Sequence, residues 1–289
     1  GSGKTFHPAQ LAYEGQKVLT LVRTKSLQGQ YTESPYNAKK VTGKANHPCH
    51  YGMVPDASLC KMSTQERQES GCLDQCPYYV SCREFWDSNL GSLNYAKYLL
   101  ETRPNGIVPT FNPEILFLDE AHQLSDLVCE WAGCTFTWEQ HGKPAFVLNY
   151  TQPLTFDDIN PLFPMEAQKI KRMDRALLWL DNLLAELDRQ KPPRITKKST
   201  HEEIKHYKKW EALYSKVGNT IDLVESGKEF WFLQSNSERF LLKPLTARFH
   251  FRRLFNAPKV VLMSATIGTS APFMAELGIY EGYESIVVP

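Results

Sequence analysis

Three short apolar runs stand out in the chain, at 17–24 (KVLTLVRT), 114–122 (EILFLDEAH) and 259–266 (KVVLMSAT). Each is a near-continuous stretch of Val, Ile, Leu and Phe that ends in polar residues. Runs of this kind are typical of strands buried on both faces of a parallel sheet that helices cover. The pattern therefore predicts an α/β fold. Because ligands gather at the carboxyl ends of such strands, the polar residues that follow them are the first candidates for a site.

A second pattern, with apolar residues three and four positions apart, occurs twice between the second and third runs. Such spacing places one side chain per turn on the same helix face. The positions are Ile170, Met173, Leu177, Leu180, Leu184 and Leu187, and then Tyr207, Trp210, Tyr214, Val217, Ile221 and Val224. The segment between them carries two prolines and a capping signature, with Ser199 and Thr200 before Glu202 and Glu203. We therefore predict an antiparallel helical hairpin.

The length and composition of the chain are sufficient for hydrophobic cores, and they limit which kinds of partner the chain could bind. A chain of 289 residues predicts one large domain or two to three smaller ones. No run of about 18 apolar residues is present, so we expect no membrane span. The first residues contain no signal-peptide core. Because the net charge is only +1, a nucleic-acid site would have to come from uneven placement of charge.

Five of the seven cysteines lie close together in the chain, and no secretion signal accompanies them. They are Cys49, Cys60, Cys72, Cys76 and Cys82. This context favours metal or cluster ligation over disulfides. A zinc site usually shows two close pairs, and only Cys72 and Cys76 form one. Iron–sulfur clusters accept irregular spacing, so a cluster and zinc are both open alternatives.

The chain opens with GSGKT, which matches the second half of a phosphate-binding loop, GxxxxGK[ST]. In such a loop the glycines let backbone N–H groups approach phosphate oxygens, Lys4 would reach the β- and γ-phosphates, and Thr5 would hold Mg²⁺. The alternative is a linker left by an expression tag. If the loop is genuine, its first glycine precedes residue 1, and we expect the sequence to be a truncated segment.

The ends of the second and third runs strengthen the phosphate-loop interpretation. Asp119 and Glu120 follow a buried strand, where carboxylates are costly unless they hold a cation or act on a substrate. In a phosphate-loop ATPase, Asp119 would hold Mg²⁺ and Glu120 would orient or deprotonate water. The alternative is a helix start, where the helix dipole favours carboxylates. Thr266 ends an SAT motif that, after GKT and DEAH, is expected to couple nucleotide state to nucleic-acid contact.

The order GKT, DEAH, SAT, with a cysteine group between the first two, resembles the iron–sulfur superfamily 2 DNA helicases related to XPD and DinG. Four further stretches carry the resemblance: TLVRTKSLQGQ (20–30), GKANHPC (43–49), CPYY (76–79) and LNYAKYLL (93–100). DEAHQL departs from the family, which usually has Asn where Gln123 stands. The resemblance covers nearly all of 1–125 and 240–275, and the short insertion favours a bacterial or phage DinG-like relative.

The resemblance implies cofactors and roles for individual residues. A 4Fe-4S cluster would be bound by Cys49, Cys60, Cys72 and Cys76, with Cys82 as a spare or an exchanged ligand. ATP would lie against Gly1, Ser2, Gly3, Lys4 and Thr5, with His122 and Thr266 relaying its state, and Mg²⁺ would be held through Thr5 and Asp119. The catalytic residues would be Glu120, Asp119 and Lys4.

The resemblance also implies the domain organisation. A RecA-like domain, a parallel sheet with helices on both faces, would be built from 1–40, 93–125 and 240–289. It would be interrupted by an Fe-S cluster domain at 41–92 and by an all-α helical arch domain at 126–239. Candidates for contacts with phosphates are Lys39, Lys40, Lys44, Lys61, Arg67 and Arg83, and candidates for stacking on bases are Tyr78, Tyr79 and Trp86. The alternative for each is ordinary solvated charge or local packing.

The expected activity is that of an ATP-dependent DNA helicase, with 5′-to-3′ polarity implied by family alone. Its partners would be single-stranded DNA and duplex or fork DNA, and no membrane is expected. The protein would act as a monomer, and the most common setting of the family is DNA repair. The location would be the cytoplasm of a bacterial or phage-infected cell, or the nucleus of a eukaryote. Without a second RecA-like domain, this chain should hydrolyse ATP poorly. The alternative is a non-translocating Fe-S or zinc DNA-binding scaffold. An ATP-dependent nuclease has weak support.

Overall fold

A five-stranded, fully parallel sheet organises the computed structural model of this chain, with strand order β2-β3-β1-β4-β8. The structure describes residues 5–33, 35–102, 106–137, 177–178, 180–196, 198–225, 231–235, 239–244, 246–248, 250–266 and 270–284. The strands are β1 (Val18–Val22), β2 (Lys39–Lys40), β3 (Leu90–Asn94), β4 (Ile115–Asp119), β5 (Cys134–Thr137), β6 (Trp231–Ser235), β7 (Arg239–Pro244) and β8 (Lys259–Met263).

The helices connect and cover these strands. They are α1 (Phe6–Tyr13), α2 (Lys25–Thr32), α3 (Thr64–Glu69), α4 (Cys72–Gln75), α5 (Pro77–Asp87), α6 (Tyr95–Glu101), α7 (Ile107–Phe111), α8 (Leu124–Ala132), α9 (180–189), α10 (His201–Glu225), α11 (Phe251–Leu254) and α12 (Ser270–Glu276). Short 3-10 turns cover Lys44–Asn46, Ala57–Leu59 and Ala121–Gln123. The predicted α/β class with a parallel sheet is confirmed. None of the helices in the described residues is long and apolar enough to cross a membrane.

Both faces of the central strands are covered by apolar side chains. In β1, Leu19 and Leu21 belong to one hydrophobic cluster, while Val18 and Val22 belong to another. Successive strand residues point to opposite faces, so the two clusters lie on opposite sides of the sheet. Residues of α1 and α2 contribute to the second cluster, and residues of α5, α6, α7 and α8 contribute to the first. The sheet is therefore the middle layer of the fold.

The third apolar run forms β8, as predicted, but it is not buried on both faces. β8 pairs with β4 alone and stands at the edge of the sheet. Its burial alternates between exposed and half-buried, and Val261 is 36% exposed. The prediction of full burial was wrong for this strand, because a sequence of apolar residues does not tell a central strand from an edge strand.

A second, antiparallel sheet with strand order β5-β7-β6 was not predicted. Two of its strands, β5 and β6, fall within 126–239, a range predicted to be entirely helical. That prediction was wrong. Strands of four and five residues contain too few positions for an alternating pattern to be distinguished from a loop or a short helix.

The predicted helical hairpin is present in the described residues. Leu180, Leu183 and Leu187 of α9 form one hydrophobic cluster with residues of α10, among them Val217 and Ile221. The indole N–H of Trp210 donates to the Leu187 carbonyl oxygen at 2.7 Å. Thr200 and Glu203 cap α10 reciprocally, with N···O distances of 3.2 and 2.6 Å. The earlier stripe positions Ile170 and Met173 lie outside the described residues.

Candidate nucleotide and metal-cluster sites

The carboxyl ends of three adjacent parallel strands, β1, β4 and β8, meet at one edge of the sheet. Arg23 follows β1, Asp119 ends β4 with Glu120 directly after it, and Ser264 follows β8. Strand pairing places Asp119 opposite Met263, one residue before Ser264. The structure therefore brings the ends of all three predicted strands together.

Asp119 is buried, with only 6% of its surface exposed, and is surrounded by tyrosine hydroxyls. The hydroxyl of Tyr31 donates to Asp119 Oδ2 at 3.2 Å, and that of Tyr95 donates to the Asp119 carbonyl oxygen at 2.7 Å. Burial, followed by the charge of Asp119, raises the pKa of both tyrosines well above the usual value. Both hydroxyls therefore remain protonated donors that hold the end of β4 in place.

Glu120 adopts a left-handed backbone conformation, with φ at +54°. Non-glycine residues rarely occupy this region, and such strain clusters at functional sites. Its backbone N–H donates to Asp119 Oδ1 at 2.9 Å, and its Oε2 lies 3.4 Å from His122 Nδ1. The turn separates the two carboxylates, so that Asp119 is buried and Glu120 is partly exposed.

A continuous set of side-chain contacts joins the three strand ends. Arg23 Nη1 lies 2.5 Å from Gln123 Oε1, and Gln123 Nε2 lies 2.9 Å from His122 Nε2. His122 Nδ1 lies 2.9 Å from Ser264 Oγ, which accepts the Thr266 backbone N–H at 3.1 Å. His122 and Thr266 were predicted as relay residues. Arg23 and Gln123 were not, because nothing in a linear sequence places residue 23 beside residue 123.

The glycine-rich stretch before Thr5 lies outside the described residues, so Gly1, Ser2, Gly3 and Lys4 have no structural description. Thr5 is described and directly precedes α1, with φ −78° and ψ −25°. Helix α1 packs on the central strands through Ala12, which is buried with Val18. Helix α1 thus begins at Phe6, one residue after Thr5, and a phosphate-binding loop likewise precedes a helix that packs against a sheet.

Four of the five clustered cysteines line one small cavity. They are Cys49, Cys60, Cys72 and Cys76, and Cys82 does not line it. Cys49 and Cys60 lie in irregular backbone, Cys72 begins α4, and Cys76 precedes Pro77 at the start of α5. We call residues 43–76, which carry all four, the cysteine segment.

The thiols of the cysteine segment act on one another electrostatically. Burial raises the pKa of Cys72, and the neighbouring Cys76, Cys60 and Cys49 raise it further, while Arg67 opposes them. Cys82 has different neighbours: it is buried, and the Tyr78 hydroxyl hydrogen-bonds to it. Burial raises the pKa of Cys82 to about 11.

The basic and aromatic side chains near the cavity are engaged within the protein. Arg67 donates to the Tyr79 hydroxyl at 2.7 Å, and Arg83 forms an ion pair with Asp74. Tyr78 is 5% exposed, so its ring has no free face for a nucleobase. Within the described part of the chain, no group of three or more His, Cys, Asp or Glu side chains is arranged to hold a metal ion.

The cysteine segment also contacts the helical hairpin. Lys61 Nζ donates to the Ser199 carbonyl oxygen, and Lys208 Nζ donates to the Ser58 carbonyl oxygen. Each contact joins residues about 140 to 150 positions apart in sequence, on opposite sides of the second apolar run. The hairpin and the cysteine segment therefore lie next to each other in the fold.

A scan against protein-family models finds no match to this chain, and a search of curated proteins finds none either. Several solved structures resemble it, and two of them have titles that name XPD. One, titled XPD_Helicase, has a TM-score of 0.49 and 18% sequence identity, and the other, titled XPD_APO, has a TM-score of 0.44 and 17% identity. Each similarity covers 96% of this chain and, respectively, 56% and 51% of the solved chain. The chain thus spans about half the length of the solved structures it matches.

Proposed function

We propose that this chain is the nucleotide-binding, RecA-like part of an ATP-dependent DNA helicase that moves along single-stranded DNA. One observation carries the proposal: Asp119 and Glu120 at the end of β4 are connected through His122 to Ser264 and Thr266 beyond β8. Such a connection lets a change at the acidic pair reach a second strand end. A carboxylate pair that served only to start a helix would not need it.

The side chains divide the proposed chemistry among them. Backbone N–H groups of the glycine-rich stretch would surround the phosphates, and Thr5 and Asp119 would hold Mg²⁺, which neutralises phosphate charge when bound. Glu120 would orient the attacking water, since its partly exposed carboxylate lies beside the buried Asp119. The residues proposed to contact the nucleotide are Gly1, Ser2, Gly3, Lys4 and Thr5, with Asp119, Glu120, His122 and Thr266 completing the site.

The cysteine segment is proposed to bind a 4Fe-4S cluster through Cys49, Cys60, Cys72 and Cys76. The donor set fits, because four thiols line one cavity and Cys82 is hydrogen-bonded elsewhere. Zinc fits less well, because a zinc site usually shows two close pairs of ligands and only Cys72 and Cys76 form one. Arg67 lines the same cavity and would offset the negative charge of the bound thiolates.

The neighbouring hairpin is proposed to form the arch that, together with the cysteine segment, would enclose single-stranded DNA at a duplex or fork. The contacts of Lys61 with Ser199 and of Lys208 with Ser58 support this proposal. The 5′-to-3′ polarity and a role in DNA repair rest on the sequence resemblance alone.

The proposal is tested by measuring Mg-ATP affinity of the purified chain by calorimetry. We expect Lys4→Ala to weaken binding at least tenfold, because the ammonium would contact the β- and γ-phosphates. Lys209→Ala, at an exposed position of α10, serves as the control and should leave the affinity unchanged. Equal affinities for wild type and Lys4→Ala would overturn the proposal and favour a nucleotide-independent DNA-binding scaffold.

A further inference from the structure

Gln123 occupies the centre of the contacts that join β1 to β8. It lies at the end of the 3-10 turn Ala121–Gln123, where its backbone N–H donates to the Glu120 carbonyl oxygen at 3.1 Å. This turn brings the Gln123 side chain between Arg23 and His122, with its two amide atoms 2.5 and 2.9 Å from their partners. The amide therefore bridges two side chains that belong to different strand ends.

The chemistry of Arg23 determines how this amide is oriented. A guanidinium group donates hydrogen bonds and cannot accept them, so the Gln123 carbonyl oxygen must face Arg23. The amide nitrogen then faces His122 Nε2 and donates to it. Since an imidazole nitrogen that accepts a hydrogen bond carries no proton, the neutral ring must carry its proton on Nδ1.

The partners on the other side of the ring agree with this assignment. Ser264 Oγ lies 2.9 Å from Nδ1 and can accept a hydrogen bond from it, and the Glu120 carboxylate lies 3.4 Å from the same nitrogen. Ser264 Oγ also accepts the Thr266 N–H at 3.1 Å and lies 3.4 Å from Thr266 Oγ1. Each group therefore donates a hydrogen bond to the next one, in the order Arg23, Gln123, His122 and Ser264.

We propose that Gln123 is a positioning residue that holds His122 in the Nδ1–H tautomer and aims its proton at Ser264. The tautomer follows from the contacts alone, whereas its use in coupling rests on the proposed function. In that function, Gln123 would transmit a change at Arg23, after β1, to the ring beside Glu120. An amide suits this position because its oxygen accepts from Arg23 while its nitrogen donates to His122, two roles that an ionised carboxylate of the same length cannot combine.

The test is the tautomer of His122 in the full 289-residue chain, read from long-range ¹H–¹⁵N correlations of histidine rings. His122→Gln assigns the signal among the eight histidines. Spectra are recorded at alkaline pH, on the plateau where the ring signals no longer change with pH. The main variant is Gln123→Glu, which has the same length, still accepts from Arg23, but cannot donate to His122. Gln123→Met keeps the length without hydrogen bonds, and the exposed Gln30→Glu is the charge-matched control.

We expect Nδ1–H to dominate in the wild type and in Gln30→Glu. In Gln123→Glu the carboxylate accepts a hydrogen bond from Nε2, so the dominant tautomer of His122 should invert to Nε2–H. In Gln123→Met the tautomer population should also shift toward Nε2–H, because histidine favours that tautomer in water. A wild type that is mainly Nε2–H or an equal mixture, or an unchanged tautomer in a folded Gln123→Glu, would overturn the inference. If Gln123→Glu does not fold, the wild-type spectrum and Gln123→Met decide. No nucleotide is present, so the result is independent of the Lys4→Ala test.

Discussion

The central strands and the cysteine segment differ in what holds them in place. Every residue of β1 and β4 is buried. Of the described residues between 43 and 71, by contrast, only Leu59 is buried. The segment relies instead on local polar contacts, such as the capping box of Ser63 with Glu66 and the acceptance of the Ser58 N–H by Asp56 at 2.8 Å.

This difference shows that the two proposed sites have different structural support. Apolar burial supplies most of the stability of a folded chain, so the edge formed by β1, β4 and β8 is built on the most stable part of the molecule. Within its described residues, the buried apolar side chains of the cysteine segment are Leu59 and two of its own cysteines, Cys72 and Cys76. It therefore has little such stability of its own, and ligation of its thiols would supply what is missing. The nucleotide site should therefore persist when the cysteine site is lost.

The largest expected effect is the removal of a core side chain from the sheet. Leu116 of β4 is fully buried, and we expect Leu116→Ala to lower the free energy of unfolding by about 2–5 kcal/mol through lost burial and a residual cavity. Met53→Ala in the cysteine segment is the control, because Met53 is 62% exposed and its loss should cost no more than about 0.5 kcal/mol. Urea unfolding followed by circular dichroism measures both. Similar costs for the two variants would contradict the comparison.

A second test distinguishes the proposed ligand Cys72 from Cys82, which does not line the cavity. We expect Cys72→Ser to lose iron and visible absorption after anaerobic purification, because Cys72 lines the cavity with three other thiols. Hydrogen exchange should then accelerate in 43–71 while β1 and β4 remain protected. Cys82→Ser is the matched control and should retain about four iron atoms per chain. Iron loss in Cys82→Ser with retention in Cys72→Ser would show that the ligand set is wrong.

A third test addresses the contact between the sheet and α5, the helix that follows the cysteine segment. A methyl group at Gly91 of β3 would lie 2.6 and 2.8 Å from two ring atoms of Phe85 and 3.3 Å from Leu19 Cδ1. We expect Gly91→Ala to destabilise the protein by about 1–3 kcal/mol, since both neighbours are fully buried.

Gly218→Ala provides the control of opposite sign. Gly218 lies inside α10 with nothing within 4 Å of the added methyl group, so the change should stabilise by about 0.5–1 kcal/mol through helix propensity. The same urea titration measures both variants. A stabilising effect of Gly91→Ala would mean that α5 does not pack on β3 as described.

The smallest expected effect is a pH dependence from Cys82. Burial raises its pKa to about 11, above the value of about 8.5 for an unfolded cysteine. The unfolded chain therefore releases the proton first, so this stabilising contribution is complete below about pH 8.5 and is lost as pH rises toward 11. The urea midpoint should fall less steeply over this range in Cys82→Ser than in the wild type. Identical slopes would argue against a buried neutral thiol.

Local patterns predicted the regular elements with unequal success. The apolar runs located β1, β4 and β8, and the stripe of Leu180, Leu187 and Val217 located the hairpin. The sequence patterns did not predict that β8 lies at the edge of its sheet, nor that the short strands β5 and β7 exist. Both the exposure of β8 and the pairing of β5 with β7 depend on residues that lie far away in the sequence. The second sheet left no pattern long enough to recognise.

Within the candidate sites, motifs predicted members but not partners. DEAH and SAT predicted Asp119, Glu120, His122 and Thr266 as site residues from residue type and order alone. Tyr31 had no motif to mark it, and the LNYAKYLL stretch that contains Tyr95 gave it no role. Their part in holding the end of β4 became visible only from hydroxyls that lie 3.2 and 2.7 Å from Asp119 atoms. Hydrogen bonds between distant residues are properties of the fold, so residue spacing does not report them.

The amino-acid sequence by itself determined the α/β class, the hairpin and the order of the chemical motifs, because these depend on neighbouring residues and on periodicity along one chain. The tertiary structure decided which thiols line the cavity, which strand lies at the sheet edge, and how Arg23, Gln123 and His122 meet. All three outcomes depend on contacts between residues that are not neighbours in the chain, and the pairing of β1 with β4 and of β4 with β8 joins residues 97 and 144 positions apart. For that reason the direction of hydrogen-bond donation through Gln123 could be derived only once the fold was known.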